Sequence, residues 1–286
     1  MFWVRALAEQ QVLEDEARGK SLKIVCLSGF ELYREGCLVS RSVWKNRKSL
    51  LLFLYLVMHR DRPLSQDHLL KLFWPGKAAR EARHNLSVAV YNIRHILEPE
   101  LEKGRKSSYI SNRCHVCQFH SPPHFWYDVD VFTRAWEKGS ALIRQGEYSR
   151  AWEVFTVVEQ LYKTGYLSEI QNIGWIEEER RRLREIYIEM VLWLCSEAYR
   201  RQDYNAAVWY AQKVLAQDGC REEAHQLLMR TYLRLGKRTA AIRQYEICSD
   251  LLKKSYGLAP LRETQDLYRR ILQGEEEEDE RPWPGP

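Results

Sequence analysis

Apolar residues recur at steps of three and four between residues 74 and 99, in the sequence WPGKAAREARHNLSVAVYNIRHILEP. Positions with this spacing fall on one side of a helix that turns about 100° per residue, so the pattern predicts a helix. A Pro-Gly pair before the pattern and a Glu-Pro pair after it indicate where the helix begins and ends. The predicted inner side consists of Ala82, Leu86, Ala89, Val90, Ile93 and Leu97.

The opposite side of this helix is polar and basic and has no acidic residue. It carries Arg80, His84, Ser87, Tyr91 and His95, with Arg83 and Arg94 along its edge. A solvated helix normally mixes both signs of charge on its exposed face. This face therefore favours an anionic partner that forms hydrogen bonds, and the major groove of double-stranded DNA fits that description. The alternative interpretation is an ordinary basic surface helix.

The patterns on both sides of this helix predict a small mixed domain. Residues 22–40 alternate apolar and polar positions, which is typical of short antiparallel strands. Residues 47–60 are nearly all apolar and predict a buried helix. Residues 64–75 predict a second helix, with Ser65 as its cap and with Leu69, Leu70, Leu72 and Phe73 facing inward. Residues 107–120 return to strand-like composition. This order predicts a winged helix-turn-helix of the response-regulator output type, with residues 107–120 as the wing.

In such a domain the outer stripe of the third helix reads base edges, and other basic residues meet phosphates. We predict base contacts from Arg80, His84, Ser87, Tyr91 and His95. We predict phosphate contacts from Lys45, Arg47, Lys48, Arg83, Arg94 and Arg113. For the edge residues Arg83 and Arg94 the alternative is a pairing with a carboxylate inside the domain.

From Phe125 onward the sequence predicts helix after helix and no convincing strand. Ala207, Ala211 and Val214 are matched by Ala241, Tyr245 and Cys248 after 34 residues, and Ala151, Phe155 and Val158 show the same internal spacing. A period of 34 is the signature of tetratricopeptide hairpins, which stack to bury their apolar faces. The first copy precedes the second by 56 residues, so we interpret the stretch around 175–200 as an extra helical piece.

Charge is distributed unevenly along the 286 residues. Residues 20–124 carry 18 Lys and Arg against 8 Asp and Glu, whereas residues 125–286 carry 24 against 27. The first segment is therefore strongly basic, which suggests a half that binds nucleic acid joined to a half with another role. The longest apolar run, residues 50–58, is too short to span a bilayer. Seven scattered cysteines and the lack of a secretory pattern predict a reducing cytoplasm.

The sequence carries no motif of nucleotide-binding loops, nucleophile elbows or zinc hydrolases, so we expect no enzyme and no cofactor. Cys114, Cys117, His120 and His124 have the side chains of a zinc site. Their spacing lacks the longer spacer that lets two ligand pairs close a tetrahedron. In a straight strand Cys114 and Cys117 would also point to opposite faces. We therefore predict no metal site.

Taken together, the motifs resemble those of the streptomycete antibiotic regulatory protein family. In the first half the matching stretches are Arg47-Lys48-Ser49-Leu50-Leu51, Leu72-Phe73-Trp74-Pro75, Ala82-Arg83-His84-Asn85-Leu86 and Ile93-Arg94-His95-Ile96-Leu97. In the second half they are Asp128-Val129-Asp130-Val131-Phe132, Gly165-Tyr166-Leu167, Trp175, Glu179-Arg180, Arg221-Glu222-Glu223-Ala224-His225, Leu228-Met229, Gly236-Lys237-Arg238, Tyr245 and Gly257-Leu258-Ala259-Pro260. One departure is the wing tip, where Arg113-Cys114-His115-Val116-Cys117 stands in place of the Gly-Tyr pair usual in the family.

The resemblance implies a mostly α protein with a winged helix-turn-helix domain followed by an all-α, tetratricopeptide-like bacterial transcriptional activator domain. We predict a helical extension at 1–20, the winged domain at 21–121, the activator domain at 125–272 and a disordered acidic, proline-rich tail at 273–286. The implied function is a transcriptional activator that binds direct repeats of double-stranded DNA as a dimer, engages RNA polymerase and has no membrane role. The alternative is a tetratricopeptide scaffold whose basic domain binds protein or RNA.

Overall fold

The computed structural model describes residues 21–274, which divide into two compact units. The winged unit comprises residues 21–25 and Phe30–Tyr127, and the helical unit comprises Cys26–Gly29 and residues 128–274. The predicted helical extension at 1–20 and residues 275–286 of the predicted tail lie outside the described residues.

The first sheet of the winged unit contains β1 (Leu22–Val25), β2 (Glu31–Arg34), β3 (Cys37–Leu38) and β7 (Phe125–Tyr127) in the order β3-β2-β1-β7. The first three strands are antiparallel, as the alternating pattern predicts. Glu35 and Gly36 both have positive φ, and the resulting tight turn joins β2 to β3. The prediction of no strand after Phe125 is wrong, because β7 pairs with β1 in parallel.

The three helices predicted for this unit are confirmed as α1 (Arg47–Met58), α2 (Gln66–Phe73) and α3 (Ala79–Leu97). Seven consecutive residues of α1, from Leu51 to Val57, are buried, which explains its nearly continuous apolar sequence. The buried residues of α3 are the six predicted for its inner side, Ala82, Leu86, Ala89, Val90, Ile93 and Leu97. The apolar periodicity alone was sufficient to orient this helix.

Two predictions about α2 are wrong. Ser65 occupies the N-cap position, but its side chain makes no capping hydrogen bond. It belongs to the short strand β4 (Leu64–Ser65), which leads directly into the helix and pairs with the wing at Val116. Leu72 is 38% exposed, because only Leu69, Leu70 and Phe73 of this short helix reach the core.

The wing is an antiparallel hairpin of β5 (Ile110–Arg113) and β6 (Val116–Phe119), within the stretch predicted for it. Together with β4 it forms a second sheet in the order β4-β6-β5, so β5 is an edge strand. The turn residues Cys114 and His115 both have positive φ. Two such residues allow a two-residue turn whose twist matches that of the flanking strands.

The helical unit is an array of helical hairpins. The pairs are α4 (Asp128–Arg144) with α5 (Tyr148–Val158), α6 (Gly174–Arg200) with α7 (Tyr204–Gln217) and α8 (Glu222–Arg234) with α9 (Arg238–Tyr256), followed by α10 (Arg262–Gln273). Such hairpins bury their apolar faces only by packing on their neighbours. Across residues 21–274, none of the helices combines the length and apolar character that crossing a membrane requires.

The predicted repeat positions lie in the second helix of each hairpin. Ala151, Ala207 and Ala241 are all fully buried, and small residues at these positions let paired helices approach closely. Gly139 in α4 has the same role, because a Cβ there would lie only 2.1 Å from the ring of Phe155 in α5. The interpretation of residues 175–200 as an extra piece is wrong. They form most of α6, a long helix that is the packing partner of α7.

A buried carboxylate ties the segment Cys26–Gly29 to the start of α4. Asp128 Oδ2 accepts hydrogen bonds from the backbone N–H groups of Cys26 and Leu27, each 2.7 Å long. Asp128 Oδ1 accepts a third from Val129 N. Burial raises the pKa of Asp128 to about 7, against the lowering effect of these three donors. Sequence patterns gave no sign of this contact, because its partners lie about a hundred residues apart.

Candidate nucleic-acid interface

The residues predicted to read DNA lie along one exposed side of α3. Arg80, His84 and Ser87 are exposed, Tyr91 is 59% exposed and His95 is half-buried. The helix reaches this orientation because its six apolar residues fix the opposite side against the core of the winged unit. The result is a continuous row of hydrogen-bonding side chains over about four helical turns.

Local hydrogen bonds determine what two of these side chains offer a ligand. Ser87 Oγ donates to Arg83 O over 3.0 Å, so its lone pairs are left as acceptors. His95 Nδ1 lies 2.9 Å from Tyr91 O. Because a carbonyl oxygen only accepts, Nδ1 carries the hydrogen, and the neutral ring presents Nε2 as an acceptor. Such acceptors can bind the exocyclic amino groups of adenine and cytosine.

One carboxylate lies in the exposed part of α3, which corrects the prediction that the helix's polar face is free of acid. Glu81 is in the first turn and forms an ion pair with Lys77, with Nζ and Oε1 2.8 Å apart. The position near the helix N-terminus is favourable for a negative charge. Because Lys77 neutralises it, the surface around Arg80, Arg83 and His84 keeps its positive character.

Further basic residues surround this helix in the winged unit. Lys45, Arg47 and Lys48 are exposed at the start of α1, where Asn46 Oδ1 caps the helix by accepting from Lys48 N. Lys48 Nζ lies 5.6 Å from the ring centroid of Trp74, in the turn that precedes α3. Arg113 is exposed at the end of the wing strand β5.

The two edge arginines of α3 differ in their surroundings. Arg83 is exposed, whereas Arg94 is half-buried and bound to the wing. Arg94 Nε and Nη2 donate to Ile110 O over 3.1 and 2.8 Å. The expected alternative to a phosphate was a carboxylate, and the partner is instead a backbone carbonyl. We therefore omit Arg94 from the proposed phosphate contacts.

Val88 is a candidate contact that sequence reasoning missed. It is 41% exposed on α3, four residues after His84 and therefore next to it on the helix surface. An exposed apolar side chain on such a helix can contact the methyl group of thymine. Its position on the polar side follows from the helical spacing, four residues after His84.

The two cysteines of the wing differ in their exposure. Cys114 is exposed in the turn, whereas Cys117 of β6 is fully buried. Burial raises the pKa of Cys117 to about 12, so this side chain is a thiol in the metal-free protein. Within residues 21–274, no three His, Cys, Asp or Glu side chains are grouped so that they could hold a metal ion.

Several motif residues of the helical unit make contacts inside the protein. The Arg180 guanidinium donates to the carbonyl oxygens of Tyr166, Leu167 and Ile170 over 2.7 to 2.8 Å. This arginine therefore helps to fix the irregular residues that follow the short 3-10 helix Glu159–Leu161, between α5 and α6.

A second internal network joins α8, α9 and α10. Glu222 Oε2 accepts from Leu261 N and from Thr264 Oγ1, at the start of α10. His225 is fully buried, with Nε2 3.0 Å from Gly219 O and Nδ1 2.6 Å from Gln244 Nε2. The motif Arg221-Glu222-Glu223-Ala224-His225 thus includes residues that hold the last helices together.

Residues 127–272 match the family model described as bacterial transcriptional activator domain. A structure of EmbR from Mycobacterium tuberculosis, in complex with a low affinity phosphopeptide, is similar with a TM-score of 0.72 and 17% identity. The match covers 91% of this chain and 67% of that one. The C-terminal TPR-containing domain of a Plasmodium falciparum protein described as FK506-binding matches with a TM-score of 0.40 and 16% identity, over 51% of this chain and 89% of that one. A comparison with curated protein sequences found no match.

These matches bear on the expectations from the sequence. The family match agrees with the activator domain that the motifs imply. The similarity to EmbR extends over both units and shows that the predicted fold class is right, a winged helix-turn-helix followed by tetratricopeptide-like helices.

Proposed function

This chain belongs to the bacterial transcriptional activator domain family, and we propose that it is a sequence-specific DNA-binding activator of transcription. The family and the fold are those of transcriptional regulators. The observation that carries the proposal of DNA binding is the exposed side of α3, where five polar or basic side chains oppose a fully buried apolar stripe.

The proposed reading of DNA follows from the geometry of α3. A helix laid in the major groove reaches base edges with the side chains of its exposed stripe. We propose that Arg80, His84, Ser87, Tyr91 and His95 make these contacts. Lys45, Arg47, Lys48, Arg83 and Arg113 are proposed to bind phosphates, which positions the helix without reading sequence.

The helical unit is proposed to hold a protein partner, RNA polymerase, rather than DNA. Residues 125–286 carry 24 basic against 27 acidic side chains, and this balance disfavours binding to phosphate. Arrays of helical hairpins present extended surfaces that bind protein segments. We also propose that two subunits bind side by side on direct repeats, so that contacts between subunits strengthen binding at the promoter.

A gel-shift experiment with the full chain tests this function. The probe is the DNA upstream of the protein's own gene and of its neighbours, with excess random DNA as competitor. We expect a discrete band that resists the competitor, because base contacts discriminate between sequences whereas phosphate contacts do not. Binding that random DNA removes completely would contradict the proposal and favour a scaffold whose basic unit binds protein or RNA.

A second experiment tests the division of roles between the units. In a reconstituted transcription assay the full chain should raise transcription from the bound promoter. A fragment that ends at Tyr127, and therefore lacks the helices from α4 to α10, should bind the same DNA more weakly and fail to activate. Full activation by this fragment would show that the helical unit is not the contact for RNA polymerase.

A further inference from the structure

The base of the wing is attached to the C-terminal end of α3 by two side chains. Arg94 donates two hydrogen bonds to Ile110 O, at the start of β5. One turn later Glu98, the C-cap residue of α3, accepts from Ser108 N over 2.9 Å and from the Ser107 hydroxyl. A cation and an anion from one helix end thus bind consecutive parts of the chain that enters the wing.

The tip of the wing is attached to the other helix of the helix-turn-helix. Gln66, the first residue of α2, donates its backbone N–H to His115 O over 2.8 Å. Its side-chain Nε2 donates to Asn112 Oδ1 over 2.7 Å. The hairpin is therefore tied to α3 at its base and to α2 at its tip.

The Arg94 contact matters because of where β5 lies in its sheet. β5 is the edge strand of the order β4-β6-β5, so one row of its backbone groups has no neighbouring strand. The side chain of Ile110 is buried, and its carbonyl oxygen is the atom that Arg94 binds. Without the guanidinium this half-buried oxygen would lose two charge-assisted hydrogen bonds.

We infer that Arg94 is a positioning residue, which fixes the wing on α3 so that Arg113 can meet DNA, and that it does not itself bind phosphate. The inference rests on the proposed function for its consequence, the phosphate contact of Arg113. Its structural part, the attachment of the wing through Arg94, stands on the hydrogen bonds alone.

Amide hydrogen exchange of the full chain without DNA tests the structural part. In Arg94→Ala the amides of β5 and β6 should exchange about ten times faster or more, because loss of a charge-assisted hydrogen bond favours opening of the hairpin. The matched control is Arg83→Ala, an exposed arginine on the same helix, which should leave these rates unchanged. Unchanged wing exchange in a folded Arg94→Ala protein would overturn the inference.

A second variant, Arg94→Lys, keeps the inference testable if Arg94→Ala does not fold. Lysine keeps the charge but lacks the planar fork that gives two parallel donors. The wing of this variant should therefore also exchange faster, to a smaller extent than in Arg94→Ala. If Arg94→Lys matched the wild type while Arg94→Ala were unfolded, charge rather than attachment would be the role of this residue, and the inference would be wrong.

A double-mutant cycle on DNA tests the consequence. Arg113→Ala and Arg94→Ala should each make the fall of log affinity with log salt less steep by about one unit, because each removes the same phosphate contact. The double variant should bind no more weakly than the weaker single variant. If Arg94 bound its own phosphate, the losses of binding free energy would add, and the plot would become less steep by about two units in the double variant.

The two measurements also separate the inference from the proposed function. If the wild-type protein binds no DNA, the proposed function fails and the exchange experiment still decides the role of Arg94. If it binds DNA and the cycle is additive, the function stands and the inference fails.

Discussion

The rings of Tyr91 and His95 contact each other on the exposed side of α3, with their centroids 4.1 Å apart and their planes tilted by 37°. The two residues are joined a second time, because His95 Nδ1 lies 2.9 Å from Tyr91 O. Side chains that are already ordered lose less conformational entropy when they bind a partner. The pair therefore offers DNA a phenol and an imidazole in fixed positions.

The first prediction concerns this row of side chains. Replacing Tyr91 or His84 by Ala should reduce the preference for the operator over random DNA by about 1–3 kcal/mol, the cost of losing one good base contact. Competition gel shifts with operator and random duplexes measure the preference. If both variants stay folded and keep their full preference, α3 does not read the sequence.

Phosphate contacts should behave differently. Lys48→Ala and Arg113→Ala should weaken binding to operator and to random DNA by the same factor, because phosphates carry no sequence information. Each lost contact should make the fall of log affinity with log salt less steep by about one unit. Fluorescence anisotropy titrations at several salt concentrations measure both effects. A change in preference without a change in slope would instead indicate a base contact.

The buried stripe of α3 gives a stability prediction with a matched control. Leu86→Ala should lower the free energy of unfolding by about 2–5 kcal/mol, because the removed side chain leaves a cavity in the core. Val88→Ala, two residues away on the exposed side, should change it by no more than about 0.5 kcal/mol. Urea unfolding monitored by circular dichroism provides the comparison. Equal effects would mean that the helix is oriented differently.

His225 should contribute a loss of stability to the helical unit in mild acid. Burial lowers the pKa of His225, with partial opposition from Gly219 O and from the charges of Glu222 and Asp218. The unfolded chain takes up a proton near pH 6.5 and the folded chain resists it, so the contribution of His225 to stability falls as the pH drops below about 6.5. Asp128 acts in the opposite direction, because its pKa is raised to about 7 and its protonation favours the folded state. His225→Asn should unfold more easily at pH 7.5, and between pH 7.5 and 5.5 its stability should fall less, or rise more, than that of the wild type. Equal pH dependence of both proteins would exclude His225 as the cause.

The strand β7 predicts where a stable winged fragment must end. A fragment of residues 20–127 keeps Phe125, Trp126 and Tyr127, whereas one that ends at residue 124 loses the strand paired with β1. Lys23 also lies 5.1 Å from the ring centroid of Trp126. The longer fragment should therefore need more urea to unfold. If both unfold at the same urea concentration, β7 contributes nothing to this unit.

The sequence predicted those features that depend on local periodicity. The buried stripe of α3 and the repeated alanines of the hairpins were found because burial follows helical spacing over many residues. The wing was found because its two short strands surround a turn. The stripe and the wing each lie within a short run of consecutive residues, and the alanines Ala207 and Ala241 recur after 34 residues.

Features that depend on distant partners were missed. β7 has only three residues, and its partner β1 lies about a hundred residues earlier. The helical position of Arg94, at the edge of the polar side, is equally compatible with a free surface arginine and with one that binds the wing. Its hydrogen bonds to Ile110 O could therefore not be predicted from the sequence. Glu222 and His225 lie in a stretch that resembles a family motif, but their partners in α10 and α9 could not be read from the sequence.

The segment Cys26–Gly29 belongs to the helical unit, although the strands before and after it belong to the winged unit. A hybrid regulator made by a single junction after Tyr127 would carry Cys26 and Leu27 from one parent and the residue that replaces Asp128 from the other. Unless that parent also has an aspartate there, two buried N–H groups would lose their acceptor. An exchange of the helical unit between two such regulators therefore has to transfer both Cys26–Gly29 and the residues from Asp128 onward. A single recombination event would transfer only one of these two stretches.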